Sequence, residues 1–147
     1  MRAVIQRVKS ASVEVNRKTV GQIGRGLLVL LGIGQGDTEK DIIWMVDKII
    51  NLRIFEKEDG KFDESLLDFG GELLVVSRFT LYGDASKGRR PSFSDAMGAN
   101  EARDLFEAFV KKAREKVEKV ETGIFQASMD VHLVNEGPVT VIMDSRK

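Results

Sequence analysis

Ser77, Arg78, Phe79 and Thr80 set two hydroxyls, a guanidinium and an aromatic ring in four consecutive positions, directly after the aliphatic run Leu73-Leu74-Val75-Val76. Four aliphatic residues following Gly70-Gly71 suit a strand buried on both faces. Polar groups at the end of such a strand stand on a rigid base, where a substrate can be held without the site sagging. The alternative is a strand end whose Ser and Thr satisfy nearby backbone groups. Composition alone leaves both open.

Little other side-chain machinery is available. His132 is the only histidine and there is no cysteine, so a histidine metal cluster, a thiolate site, a thiol nucleophile and a disulfide are all excluded. His132 falls inside a strand pattern with no companion, which favours a structural role. Asp59, Asp63 and Glu64 lie in a polar turn with nothing to raise a carboxyl pKa. Lys87 sits in a loop. Gly32, Gly34 and Gly36 invite a phosphate-loop reading, but no Gly-Lys-Ser/Thr follows them. Thr80, Ser77 and a few loop serines remain as nucleophiles, with no evident base to activate them.

The elements that must position these residues read as follows. Ala3 to Val8 is a short strand; Val13-Glu14-Val15 and Val20 to Ile23 form a hairpin around Asn16-Arg17-Lys18-Thr19. Leu27 to Leu31 suits a fully buried strand. Thr38 with Asp41 opens a helix in capping-box fashion, and Ile42, Met45, Val46, Ile49 and Ile50 then recur on one face, with Trp44 at its flank. Arg53-Ile54-Phe55 is a short strand, and Phe62 to Phe69 is irregular or a brief helical turn. Gly83 to Ser94 is a long loop, and long loops in compact domains tend to be functional or mobile. Asn100 caps a second helix, whose stripe runs Ala102, Leu105, Phe106, Phe109, Val110, Ala113 and Val117. Its acids fall in the first half and its bases in the second, as the helix dipole favours. Met129 to Val134 and Val139 to Met143 are two strands separated by Asn-Glu-Gly-Pro. The pattern predicts a single α+β domain over 1–147: a curled, barrel-like sheet with two main helices packed against it.

At 147 residues, with 23 Lys+Arg against 23 Asp+Glu, the chain suits one domain with a sizeable core and is not a generic polyanion binder. The charge is unevenly spread, however. Residues 1–36 carry six Lys/Arg against Glu14 alone, and residues 76–93 carry four against Asp84 alone, while 37–75 carry eleven acids against five bases. A local basic face including Lys87-Gly88-Arg89-Arg90 can meet phosphates while the whole stays neutral; solvated loop charge is the alternative. No stretch approaches a signal core or a membrane span, which predicts a cytoplasmic protein with no membrane partner.

Leu133-Val134-Asn135-Glu136-Gly137-Pro138-Val139-Thr140 resembles the Asn-x-Gly-Pro-Val-Thr signature of the D-aminoacyl-tRNA deacylases, and Ser77 to Leu81 resembles their Ser-Gln-Phe-Thr-Leu motif. Arg90-Pro91-Ser92-Phe93 is similar to a third segment of that family, and Ile5-Gln6-Arg7-Val8 with Ala11-Ser12-Val13 to a fourth. The four lie in order over the chain from Met1 to about Met143. Arg78 stands where the family usually carries Gln, so a role needing an amide acceptor does not carry over.

The resemblance implies hydrolysis of D-aminoacyl-tRNA esters (mischarged glycyl-tRNA included) by a homodimer without cofactor or metal. Such esters are activated, so positioning plus two oxyanion donors can suffice. The backbone N–H groups of Phe79 and Thr80 are the candidates, with Ser77 beside them and Phe79 as a flat surface for the terminal adenine or sugar. The family's logic has the RNA's own 2′-hydroxyl assist. Gly137-Pro138 presents carbonyl oxygens without a neighbouring donor, able to bind the substrate's ammonium and reject one enantiomer by backbone crowding. The resemblance further implies that this bond is cis, that it reaches the partner subunit's site, and that Arg7 helps fix it; an ordinary trans turn is the alternative. Arg78 adds a cation for RNA binding. Two other readings remain: a non-catalytic tRNA- or rRNA-binding module, and a small-ester hydrolase with Thr80 as nucleophile.

Overall fold

The two aliphatic runs, Leu27 to Leu31 and Leu73 to Val76, lie side by side in parallel, with Leu27 opposite Leu73 and Leu31 opposite Ser77. Their side chains alternate between two separate apolar clusters: Leu27, Val29, Leu31, Leu73 and Val75 face one, and Leu28, Leu74 and Val76 the other. That is why the runs are continuous rather than alternating in hydropathy.

A computed structural model describes all 147 residues, Met1–Lys147. The chain runs β1 (Arg2–Val15), β2 (Lys18–Ile23), β3 (Gly26–Gly32), α1 (Glu39–Asn51), β4 (Phe55–Glu56), β5 (Phe62–Glu64), α2 (Leu66–Phe69), β6 (Glu72–Ser77), a 3-10 turn over Phe79–Tyr82, α3 (Ala99–Arg114), β7 (Val120–Thr122) and β8 (Asp130–Asp144). The main sheet has the order β2-β1-β3-β6-β7, with β8 on β1. β8 pairs with β1 from Arg2 to Glu14, so β3 (opposite Arg2 to Val8) and β2 (opposite Ala11 to Val15) share the other edge of β1.

β3 to β6 and β6 to β7 are parallel and need long crossovers. These contain α1 and α3, whose apolar stripes share the larger cluster with Ala3 and Ile5 of β1. The smaller cluster fills the inside of the curl with Val8, Ala11, Val13 and Ile23. Closure is tight where β2 meets β7: a Cβ on Gly21 would lie 2.4 Å from the Thr122 carbonyl oxygen, so only glycine admits this approach. The architecture is the expected α+β domain with a nearly closed, barrel-like sheet.

Several local expectations change. Ala3–Val8 and Val13–Val15 belong to one 14-residue strand, and the turn to β2 is just Asn16 and Arg17, both at positive φ (50° and 66°). Helix α1 opens at Thr38 as expected, the Thr38 amide donating to the Asp41 carboxylate at 2.8 Å. Asn100 is not a cap: α3 starts at Ala99 behind Gly98, whose carbonyl takes the Ala102 amide at 2.9 Å. The strand expected over Arg53-Ile54-Phe55 is Phe55–Glu56, and the 62–69 region contains both β5 and α2. The two C-terminal strands are one, β8, in which Asn135–Pro138 shift the register against β1 near Val8 without leaving the sheet, as a bulge does.

Leu74 is fully buried inside the curl. Leu74→Ala should cost about 2–5 kcal/mol of unfolding free energy, measured by urea denaturation. A loss within experimental error would mean the curl is not packed as described.

Candidate active site

β6 ends at Ser77, where the Arg78 amide makes one further bond, to the Leu31 carbonyl at 2.8 Å. The backbone then turns into the 3-10 segment, closed by Leu81 N–H to Arg78 O at 3.3 Å and Gly83 N–H to Thr80 O at 3.0 Å. Phe79 and Thr80 are the first two residues of that segment, and opening residues of a helical turn have amide groups with no acceptor inside it. Ser77, Arg78, Phe79 and Thr80 together form one wall of a cavity of about 460 Å³. Phe125, Gln126, Met129, Met97 and the first turn of α3 also line this cavity.

Eight of the twelve lining residues are hydrophobic, and Arg78 is the one charged group among them. No carboxylate or imidazole therefore borders the cavity, and no side chain there is placed to take a proton from Thr80. Arg78 Nε is buried with no hydrogen-bond partner. An unsatisfied buried donor is costly, and no acceptor of this chain relieves it. Phe79 is 58% exposed and meets Phe93 edge-on, ring centres 5.2 Å apart.

Arg7, Gly137 and Pro138 form a second constellation. Arg7 is only 4% exposed. It donates through Nη1 to the Ile54 carbonyl at 2.8 Å and through Nε to the Glu136 carbonyl at 3.2 Å, with the Glu136 carboxylate 3.0 Å away. Arg25 approaches the other Glu136 oxygen at 3.6 Å. The Asn135 amide donates to both the Arg7 carbonyl (2.8 Å) and the Val139 carbonyl (3.0 Å), spanning the base of the segment. The Gly137–Pro138 bond is cis, and Gly137 has φ +118°. A Cβ on Gly137 would lie 2.7 Å from Arg7 Nη2.

Within one chain the two constellations are apart. Arg7 is paired with Leu27 while Arg78 is bonded to Leu31, four residues or about 13 Å along β3. Neither Gly137 nor Pro138 lines the cavity. His132 is exposed, 3.6 Å from Glu14. Asp63 is engaged by Lys57 at 2.6 Å and by Arg53; the hydrogen bond from Lys57, then that from Arg53, hold its carboxyl below the ordinary range, the wrong direction for a general acid.

Sequence reasoning missed the part of the lining formed by residues 125–129. Phe125 and Gln126 lie in an irregular connection with no periodicity to single them out, although an aromatic in a short turn is a usable signal. Gln126 adopts φ +65°, and its amide oxygen accepts from Arg103 at 2.8 Å. Asn135 and Glu136 stood inside the quoted motif without a role.

The family profile described as D-Tyr-tRNA(Tyr) deacylase matches residues 4–144. A Kosmotoga olearia protein named D-aminoacyl-tRNA deacylase is 60% identical over 147 residues, 100% of this chain and 99% of that protein. A Thermotoga petrophila protein of the same name is 58% identical over the same span, with 100% and 99% coverage. Among solved structures, the c-Myc DNA Unwinding Element Binding Protein aligns with a TM-score of 0.93 at 44% identity over 98% of each chain. A probable eukaryotic D-amino acid tRNA deacylase aligns with a TM-score of 0.83 at 20% identity over 97% of each, a likeness of fold.

Arg7→Met keeps the side chain's bulk and removes its hydrogen bonds to Ile54 and Glu136. It should cost about 1.5–3 kcal/mol of unfolding free energy, the range for a hydrogen bond involving a charged group. Amide exchange over residues 134–140 should accelerate; unchanged protection there would show that Arg7 does not hold the segment.

Proposed function

This chain belongs to the D-Tyr-tRNA(Tyr) deacylase family and is a hydrolase of that family; we propose that it cleaves the ester of D-aminoacyl-tRNA, releasing free D-amino acid and tRNA, as a chiral proofreading step in translation. The observation that carries the chemistry is the cavity wall of Ser77, Arg78, Phe79 and Thr80 on a rigid strand end, with no acid or base facing it. A site of this kind can orient and polarise but cannot generate a strong nucleophile, which suits an already activated ester. Water attacks the ester carbonyl with assistance from the RNA's own 2′-hydroxyl. The backbone N–H groups of Phe79 and Thr80 hold the developing oxyanion, and Ser77 borders the same wall. Phe79 offers its exposed face to the terminal adenosine, while Arg78 supplies the cation that an RNA ligand lacks elsewhere in the cavity.

Chirality, in this reading, is enforced by Gly137 and Pro138. Their carbonyls hold the substrate's ammonium, and the backbone beside them leaves no room for the side chain of the L-enantiomer. Glycine has no side chain to exclude, so mischarged glycyl-tRNA passes the same filter. Because Gly137 and Pro138 lie away from the cavity of their own chain, the filter acts on the partner's site in a homodimer. Two features support the dimer. β8 pairs only with β1, leaving its other edge without a partner, and exposed edges of this length recruit another chain. Leu133, Val134 and Ile142 on that strand are 37%, 51% and 76% exposed. No helix is long and apolar enough to cross a membrane, and the substrate puts the enzyme in the cytoplasm.

The reading is tested by following release of free tyrosine from D- and L-tyrosyl-tRNA under dilute enzyme. Release from the D-ester alone is expected; no release above the spontaneous rate defeats the proposal. The RNA-binding-module alternative gives way to 58–60% identity over the full chain with proteins named D-aminoacyl-tRNA deacylase. The Thr80-nucleophile alternative is separated by Thr80→Ala, which should keep most of the deacylation rate because only the backbone N–H contributes. A fall of about a thousandfold or more, the scale of losing a nucleophile, would establish covalent catalysis instead.

Gly137→Ala forces a side chain into the Arg7 guanidinium and into a φ that disfavours any Cβ. Turnover of D-tyrosyl-tRNA should collapse with no gain on L-tyrosyl-tRNA, since the ammonium anchor is degraded for both hands. Parental D-turnover in this variant would make the segment an ordinary turn.

A further inference from the structure

The loop between the 3-10 turn and α3 is built more firmly than its composition suggests. Asp84 and Ser92 exchange both backbone hydrogen bonds at 2.8 Å, which closes residues 84–92 into a hairpin-like arm. Both feet of the arm stand on the cavity wall. On the leading side, Gly83 is bonded to the Thr80 carbonyl. On the returning side, Phe93 packs against Phe79, the Asp95 carbonyl accepts from Gln35 at 2.8 Å, and the Met97 amide donates to Ile33 at 3.0 Å. Phe79, Met97 and Ile33 all line the cavity. The arm is thus an extension of the site rather than a loose connection.

Its outer part carries Lys87, Arg89 and Arg90, all exposed, and no acid between residues 85 and 93. None of the three makes an ion pair. The acid at the base, Asp84, turns its carboxylate to the Ser86 amide at 2.9 Å, and Asp95 lies beyond the closed part of the arm. Three cations on an arm closed at its base, at the lip of a cavity, form a surface for a polyanion that enters the cavity by its end.

We propose that residues 84–92 are a phosphate-binding arm that grips the RNA backbone immediately upstream of the terminal nucleotide. The proposal rests on the reading of the cavity as an aminoacyl-tRNA site and adds where the RNA leaves it. From the Asp84–Ser92 closure to Lys87 is three residues, about 10 Å of extended chain. At the roughly 3.4 Å per phosphate of one strand of a DNA duplex, taken as the scale for a stacked strand, the arm spans about two or three phosphates. It therefore contacts the 3′ end and not the body of the tRNA. Phosphate contacts position the RNA without reading its sequence, so the arm serves every tRNA alike.

The test uses the full-length protein and the triple variant Lys87→Gln/Arg89→Gln/Arg90→Gln. The control variant is Lys111→Gln/Lys112→Gln/Lys116→Gln, which removes the same charge near the far end of α3, roughly 18 Å along the helix from Ala99. Binding of uncharged tRNA is followed by fluorescence anisotropy across a salt titration, and steady-state hydrolysis is compared on D-tyrosyl-tRNA and on D-tyrosyl-adenosine, which has no upstream phosphate. In the arm variant the salt slope should fall by about two units, at 0.7 to 0.9 per lost phosphate contact. KM for D-tyrosyl-tRNA should rise about tenfold or more while kcat holds, and D-tyrosyl-adenosine should be hydrolysed as by the parent. The control should match the parent throughout. An unchanged slope and KM for tRNA overturns the proposal, as does an equal loss on both substrates or an equal effect of the control. A parent that hydrolyses neither ester removes the functional reading alone, because the binding titration still decides the arm.

Discussion

Burial of the β3–β6 parallel pair on both faces is the constraint from which the rest of the structure follows. A sheet that is dry on one side only could stay open. Here Leu28, Leu74 and Val76 need cover on the side away from the helices, and the sheet supplies it by curling until β2 reaches β7. Each methylene so buried contributes on the order of 0.8 kcal/mol, and the alternation of side chains spreads that gain over both clusters. A one-residue slip in either strand would exchange its side chains between the two clusters, which hold 24 and 7 buried residues and so present different spaces to fill. That rigidity is inherited by the residues at the end of β6.

Ser77 to Thr80 border a cavity lined mostly by hydrophobic residues, with Arg78 as its one charged group. In a largely apolar enclosure, fixed backbone dipoles act more strongly than they would in water. The turn after β6 is pinned at Leu31, at Thr80 and again through Phe93, so the structure there goes into holding a conformation.

The second device obeys the same rule with opposite means. Arg7 is a cation inside the fold, tolerable only because Ile54, Glu136 and the nearby carboxylates satisfy it. In return it sets the backbone of a segment that comes from the other end of the chain. Asn135 closes that arrangement from the opposite side, bonding the Arg7 carbonyl across 128 residues of sequence. The shape presented at Gly137 and Pro138 is thus a property of β1 and β8 together.

The sequence by itself determined the class of fold and the nature of the first site. Aliphatic runs marked strands buried on both faces, the stripe from Ala102 to Ala113 marked a helix laid on them (Val117, expected on the same stripe, lies past the helix end at Arg114), and Thr38 with Asp41 marked the start of another. These are local signals, because periodicity and capping record what each residue's immediate backbone needs. The abrupt change from Val76 to Ser77 likewise marked a strand end with polar groups. Tertiary structure alone decided the rest. It joined Met129–Val134 and Val139–Met143 into one strand, since β1 continues past the bulge and keeps both halves paired. It brought Phe125 and Gln126 to the same cavity as Thr80, kept Gly137 and Pro138 away from the cavity of their own chain, and turned a polar loop into a closed arm through Asp84 and Ser92. Each of those facts depends on contacts between distant residues whose types suit many other neighbours, and no local pattern encodes which of them will meet.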